Sequence, residues 1–260
     1  MPTATEPTTG GRLTAAFAGL RSAAAFLTIV PVPLARRADG GFSDAPAWFP
    51  LIGGCVGGVA GGVRAGLAPA LGRAVATVLA LAATAVLTGA LHLDGLADTA
   101  DGLGVRGDHE RRLDVMRDSA NGTFATLALG LWGMLSFAAV ESLSARHALE
   151  VLIAAAACGR WMAVVHGALL SPARDDGLGA SFAPGARQTA AATALAVAIG
   201  IAALGTGHGA IVLGAALVGG GAFTVFTRRA FGGLTGDTIG ACVVVAETGA
   251  LLAGVALLGS

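Results

Sequence analysis

The stretch RAVATVLALAATAVLTGALHLDGLADTADGLG, residues 73–104, decides how this chain is read. From Ala74 to Leu91 it carries no charge, close to the roughly 18–20 residues that cross a bilayer core as a helix. Asp94, Asp98 and Asp101 then arrive within eight positions. If the helix runs on past the membrane surface, the i, i+4, i+7 spacing sets the three carboxylates within roughly 60° of one another on one face. Like charges at that spacing repel, and a carboxylate held in hydrocarbon costs about 2.5–3.5 kcal/mol. A solvated acidic helix end would carry polar neighbours of both signs, whereas Gly95, Leu96, Ala97 and Gly102 are small or apolar. The face therefore asks for a positive partner. Hard carboxylate oxygens suit Mg²⁺ or Mn²⁺, with phosphates as further ligands. Spacing excludes an EF-hand loop, and His92 has no Cys or second His at zinc-ligand spacing.

The rest of the chain has the same membrane character. Of 260 residues, 55% are hydrophobic and 12% charged, against about 25% charged in an ordinary soluble domain; mean hydropathy is +0.76. Apolar runs over 48–69, 74–92, 124–143, 148–170, 188–206, 209–226 and 238–258 each read as a membrane helix. A weaker segment, 13–30, contains Arg21 and stops at Pro31 and Pro33. It is either a first span or an amphipathic helix in the interface. The predicted fold class is all-α, a polytopic integral membrane helical bundle with about seven or eight transmembrane helices. Residues 13–260 form one membrane-embedded domain, and 1–12 a disordered N-terminal arm. Gly53, Gly57 and Gly61 line up at helical spacing, a stripe suited to close helix packing. Formal net charge is zero, so no global field argues for nucleic acid. Cys55, Cys158 and Cys242 match no metal or disulfide spacing.

Arginine sets the orientation, since the chain has no lysine. Arg36, Arg37, Arg106, Arg111, Arg112, Arg117, Arg174, Arg187, Arg228 and Arg229 fall in loops that alternate to one side, with Arg73 and Arg146 opposite. The positive-inside rule then places the Asp-rich loop on the cytoplasmic face of the cell membrane.

Several other residues carry chemistry in this pattern. In RRLDVMRDSANGTFATLALG, residues 111–130, Asp114 and Asp118 are again four apart. Asp118, Ser119, Gly122 and Thr123 stand just before a span, where backbone N–H groups and hydroxyls make an anion site. Arg117 is placed to neutralise phosphate; the bland alternative for Asp114 and Arg117 is a charged connecting helix. Arg160, mid-span, is either functional or half of a bundle salt bridge with Glu247. His92 is either interfacial filler or a partner to the acids. The Gly-rich GGLTGDTIGA, residues 232–241, brings Thr235 and Asp237 to the head of the last span, a loop able to wrap phosphate.

These pieces together resemble the cobalamin synthases, the adenosylcobinamide-GDP ribazoletransferases of cobalamin biosynthesis. The resemblance rests on HLDGLADTADGLG (92–104) and MRDSANGTFATLAL (116–129). FLTIVPVP, WFPLIGG, GRWMAV, ARDDGLGASF and GGLTGDTIGA support it, in order, over about residues 20–247. The chain departs from the family pattern at Ala120-Asn121, where an Arg follows the Asp-Ser pair, and at Ala125, where a Gly follows the Phe. That shifts phosphate neutralisation onto Arg117 or Arg160. The resemblance implies transfer of adenosylcobinamide-GDP onto α-ribazole or its 5′-phosphate, with GMP leaving and Mg²⁺ as cofactor. In that scheme Asp94, Asp98, Asp101 and Asp118 hold one or two Mg²⁺, and Asp98 or Asp101 takes the proton of the attacking hydroxyl. His92, Arg117, Ser119, Gly122, Thr123, Arg160, Thr235 and Asp237 bind substrate. Its partners are corrinoid and nucleoside substrates and the lipid bilayer, with homo-oligomerisation left open. The competing classes are a CDP-alcohol phosphotransferase, whose motif is half present, and a cation-coupled transporter.

Overall fold

The computed structural model describes residues 9–32, 44–118 and 120–259. Ser119, Arg36, Arg37 and the first eight residues lie outside the described ones. Over the described residues the chain forms helices α1 (Thr9–Leu27), α2 (Phe49–Leu71), α3 (Arg73–Leu87), α4 (Leu91–Gly104), α5 (His109–Val115), α6 (Thr123–Ser142), α7 (Ala145–Leu169), α8 (Gly177–Ser181), α9 (Ala186–Phe231) and α10 (Gly236–Leu258). A 3₁₀ turn, Ala45–Trp48, leads into α2. Among these residues, five helices are long and apolar enough to cross a membrane, and the bent pair α3–α4 makes six. The protein is an all-α, multi-pass membrane bundle, by this measure with fewer spans than the seven or eight expected.

Two departures from regular helix account for the difference. The run read as one span over 74–92 breaks after Leu87. Gly89 N–H bonds Val86 O and Ala90 N–H bonds Ala85 O, a complete Schellman stop with glycine in the left-handed position. Ala90 follows at φ 55°, so two successive left-handed residues turn the chain, and α4 leaves α3 at 89°. The acidic stretch is therefore a separate helix across the end of the bundle, not a continuation of the span. The second departure is Gly205, at φ 77° and ψ 170° inside α9, a conformation essentially confined to glycine. A Cβ on Gly209 would stand 2.7 Å from Gly200 O, whereas nine residues of straight helix span about 13 Å. The chain turns back there, and the two arms of α9 are the expected segments 188–206 and 209–226.

Helix α7 is the central post, buried from Ala154 through Val164 and packed against α2, α9 and α10. The glycine stripe of α2 faces it as expected. A Cβ on Gly53 would come within 2.3 Å of Ala156 O, and one on Gly57 within 2.1 Å of Leu152 O. At one end of the bundle the buried Arg64 spans three helices. Its Nη2 donates to Leu143 O at 2.6 Å, past the end of α6, and its Nε to Thr77 Oγ1 of α3 at 3.3 Å. Arg73 pairs with Glu141 beside it.

Helix α1 belongs to the opposite end. Gly19 lies against Asp44, Phe26 stacks on Phe49 at 5.7 Å, and Ile29 N–H bonds Leu87 O at 2.9 Å. The apolar part of α1, Ala16–Leu27, is shorter than a full span. The helix begins at Thr9, inside the segment assigned to the arm. Helices α4, α5 and α8 and the heads of α6 and α10 gather at this same end.

Candidate active site

Helix α4 reaches its place by backbone contact with α10. A Cβ on Gly95 would sit 2.5 Å from Asp237 O, and one on Gly240 3.3 Å from the Cα of Gly95. Glycine at both positions lets the two backbones touch. Asp94 is exposed, while Asp98 and Asp101 are half-buried. Asp98 stands within electrostatic reach of Asp94, Asp237 and Asp101. The i, i+4, i+7 face expected from the sequence is thus formed, and Asp237 joins it from the last span.

Asp101 has a different task from the other acids. Its Oδ2 accepts Gly122 N–H at 2.6 Å and its Oδ1 accepts Ala125 N–H at 2.9 Å. The anion at the head of α6, expected to be substrate phosphate near Gly122 and Thr123, is a carboxylate of the chain itself. Thr123 is exposed at the first position of α6. Asp118 is exposed before α6, its Oδ1 accepting Ala120 N–H at 3.1 Å. Thr235, expected in the substrate pocket, is fully buried. Its hydroxyl accepts Thr238 N–H at 3.1 Å and starts α10, so it fixes Asp237 at the helix head.

His92 and Arg160, expected to bind substrate, lie deeper in the bundle. Both are buried, on the inner side of α4. Arg160 pairs with Glu247, and its Nη2 lies 3.5 Å from His92 Nδ1. They line a cavity of about 30 Å³ with Thr88 and Trp132, room for one water. Of the two readings of Arg160, the bundle ion pair is the one observed.

The cations at the acids are instead Arg174 and, one step away, Arg117. Arg174 Nη2 is 3.5 Å from Asp237 Oδ2, and its Nε 3.5 Å from Asp176 Oδ1. Arg117 Nη2 donates to both oxygens of Asp176 at 2.9 Å. Arg174 and Asp176 were missed as site residues, although ARDDGLGASF is among the motifs quoted above. Loop contacts hold them there, since Leu234 N–H bonds Ser171 O at 2.8 Å and Ala173 N–H bonds Leu234 O at 3.0 Å.

Among the described residues, no three His, Cys, Asp or Glu side chains converge on a point able to hold a metal ion. The four-carboxylate set does not form a closed cage. The donors are nevertheless hard oxygens, and Mg²⁺ commonly uses one or two carboxylates with water and substrate phosphates completing its shell. Asp94 and Asp237, within electrostatic reach of each other, fit that requirement.

The family profile for cobalamin-5-phosphate synthase matches residues 19–255. A protein of Bradyrhizobium diazoefficiens named adenosylcobinamide-GDP ribazoletransferase is 38% identical over 228 residues, 86% of this chain and 88% of its own. Proteins of the same name from Allorhizobium ampelinum and Klebsiella pneumoniae are 38% and 37% identical, over 92% and 89% of this chain and 96% and 97% of theirs. No solved structure matches. A match over nearly the whole chain, spanning both the acid-bearing α4 and the head of α10, leaves one conclusion: the chain belongs to the cobalamin-5-phosphate synthase family, transferases of cobalamin biosynthesis.

Proposed function

We propose that the chain is the Mg²⁺-dependent transferase that joins adenosylcobinamide-GDP to α-ribazole, or to its 5′-phosphate, with release of GMP. It works at the cytoplasmic face of the cell membrane. The observation that carries this reading is the grouping of Asp94, Asp98 and Asp237 beside Arg174 at one end of the bundle. Exchange at a diphosphate needs charge neutralisation and alignment more than a covalent nucleophile. The arginine count of the loops supports the cytoplasmic face.

The ribazole hydroxyl oxygen bonds the cobinamide-side phosphorus. The bond from that phosphorus to the bridging oxygen breaks, and GMP departs with the electron pair. Asp98 accepts the hydroxyl proton, because both oxygens of Asp101 are engaged by backbone N–H groups. Held by Asp94 and Asp237, Mg²⁺ would neutralise charge on the departing phosphate. Asp101 holds the head of α6, and Arg174 steadies phosphate oxygens beside Asp237.

The test is a membrane assay with adenosylcobinamide-GDP and α-ribazole. GMP release stops in EDTA and returns with Mg²⁺, and Asp94→Ala inserts normally in the membrane yet releases no GMP. Undiminished turnover in EDTA, or by the Asp94→Ala protein, refutes the metal assignment.

A further inference from the structure

We infer that Asp176 occupies the place of a phosphate, and that the arginine pair holding it, with the pocket alongside, is the seat of the guanosine monophosphate that leaves. The inference deepens the transferase reading and rests on it. Asp176 is 65% exposed, yet its carboxylate is held by two guanidiniums from separate parts of the chain. One is Arg117, just past α5; the other is Arg174, in the loop after α7. Two guanidiniums around one anion are an arrangement that recognises phosphate oxygens. Exposed ion pairs are weak, so a phosphate exchanges with this carboxylate at little cost. Arg174 is also undersaturated. Its Nη1 is buried without a hydrogen-bond partner.

The space beside the pair has the size and chemistry of a nucleoside site. Arg117 and Arg174 line a pocket of about 480 Å³ together with Glu110 and Asp114 of α5 and Phe231; small-molecule sites run from about 300 to 1,000 Å³. Carboxylates accept hydrogen bonds only, so Glu110 and Asp114 suit a base that offers two adjacent N–H donors. Guanine has such an edge, while adenine and cytosine pair each amino group with a ring acceptor. The α5 wall is pinned in place, with His109 Nε2 3.0 Å from Arg229 O and Arg112 Nη1 donating to Ala230 O at 3.1 Å. Arg174 reaches both Asp176 and Asp237. A nucleotide phosphate on the arginines therefore leaves the second phosphate facing Asp94 and Asp98.

Titration calorimetry on the purified protein in detergent tests this without turnover, with GMP, AMP, CMP and inorganic phosphate as probes. GMP binds about ten-fold or more tighter than AMP or CMP. Asp176→Ala and the isosteric Asp176→Asn each tighten GMP and phosphate about two- to five-fold, as expected for loss of a weak competing ion pair. Arg174→Ala and Arg117→Ala weaken GMP, the former about ten-fold or more. The Glu110→Gln/Asp114→Asn protein binds phosphate as before but loses the preference for GMP over AMP. Unchanged or weaker GMP binding in both Asp176 variants overturns the inference, as does parental affinity in both arginine variants. The transferase reading fails separately. Parent protein that turns over substrate while GMP binding ignores these residues keeps the reading and loses the seat. Parent protein that binds GMP as described without turnover keeps the seat and loses the reading.

Discussion

Replacing Asp101 separates two roles for a carboxylate in an acidic cluster. If it anchors α6, Asp101→Ala frees the N–H groups of Gly122 and Ala125, now bonded at 2.6 and 2.9 Å. A side-chain cap is worth about 0.5–2 kcal/mol, and a hydrogen bond to a charged acceptor about 1.5–3 kcal/mol. A negative charge at a helix N-terminus adds about 0.3–1 kcal/mol. These contributions overlap, so the loss is about 2–3 kcal/mol, confined to the first turn of α6. The local opening equilibrium then shifts roughly 30- to 150-fold. Hydrogen exchange read by mass spectrometry reports it directly: peptides over 120–127 exchange faster by about that factor, while those within α7 do not change. Asp101→Asn falls between, because one oxygen still accepts while its amide nitrogen confronts the second N–H. Unaltered exchange over 120–127 in Asp101→Ala, together with a raised Mg²⁺ requirement for turnover, would show that Asp101 acts as a metal ligand and refute the anchoring argument.

Two further perturbations test the bundle itself. Arg64→Met strips a buried donor from Leu143 O and lowers stability in detergent by about 1–3 kcal/mol, seen as a lower thermal midpoint with KM unchanged, since this end is remote from the acids. Gly57→Ala drives a Cβ to 2.1 Å from Leu152 O and costs about 1–3 kcal/mol or more, whereas Gly66→Ala, with nothing within 4 Å, is neutral or stabilising by up to about 1 kcal/mol; equal midpoints for the two would refute the close approach of α2 to α7.

How much of this was legible in the sequence depended on whether a signal was local. Run length conveyed the membrane class, and the Gly53–Gly57–Gly61 stripe conveyed a close helix contact, because both follow from spacing along one element. The break after Leu87 also had a local sign: Gly89, a glycine able to end a helix. The apolar run on both sides outweighed it. Arg64 could have been found by the rule applied to Arg160, that a lone arginine in hydrocarbon has a partner. Its partner is a helix end 79 residues away, which no spacing reveals. Asp101 is the instructive case. Its position on the acidic face was correct, but its two bonds go to residues 21 and 24 positions downstream. Pairings of that kind exist only once α4 has turned. For the same reason Arg174 and Asp176 were given no site role, since the bridge from Pro172 to Leu234 that ties their loop to the head of α10 joins residues far apart in sequence.

The turn at Ala90 also answers the repulsion problem raised by three acids on one face. A straight continuation would have carried Asp94, Asp98 and Asp101 away from the bundle, with only water to screen them. Turned by 89°, α4 meets the N-termini of α6 and α10, each carrying about half a positive charge, and Arg174 beside Asp237. The Arg117–Asp176 pair adds nothing to this balance, being neutral. Four carboxylates set against one guanidinium and two helix ends leave about two negative charges uncompensated. In the proposed reaction one divalent cation would supply that charge. It accounts for a left-handed alanine at Ala90 and for two glycines, Gly95 and Gly240, spent on letting α4 lie flat. On this argument, Asp237→Asn halves the deficit and weakens Mg²⁺ activation more than it disturbs the fold. An unchanged Mg²⁺ dependence in that protein would mean that the deficit is met some other way.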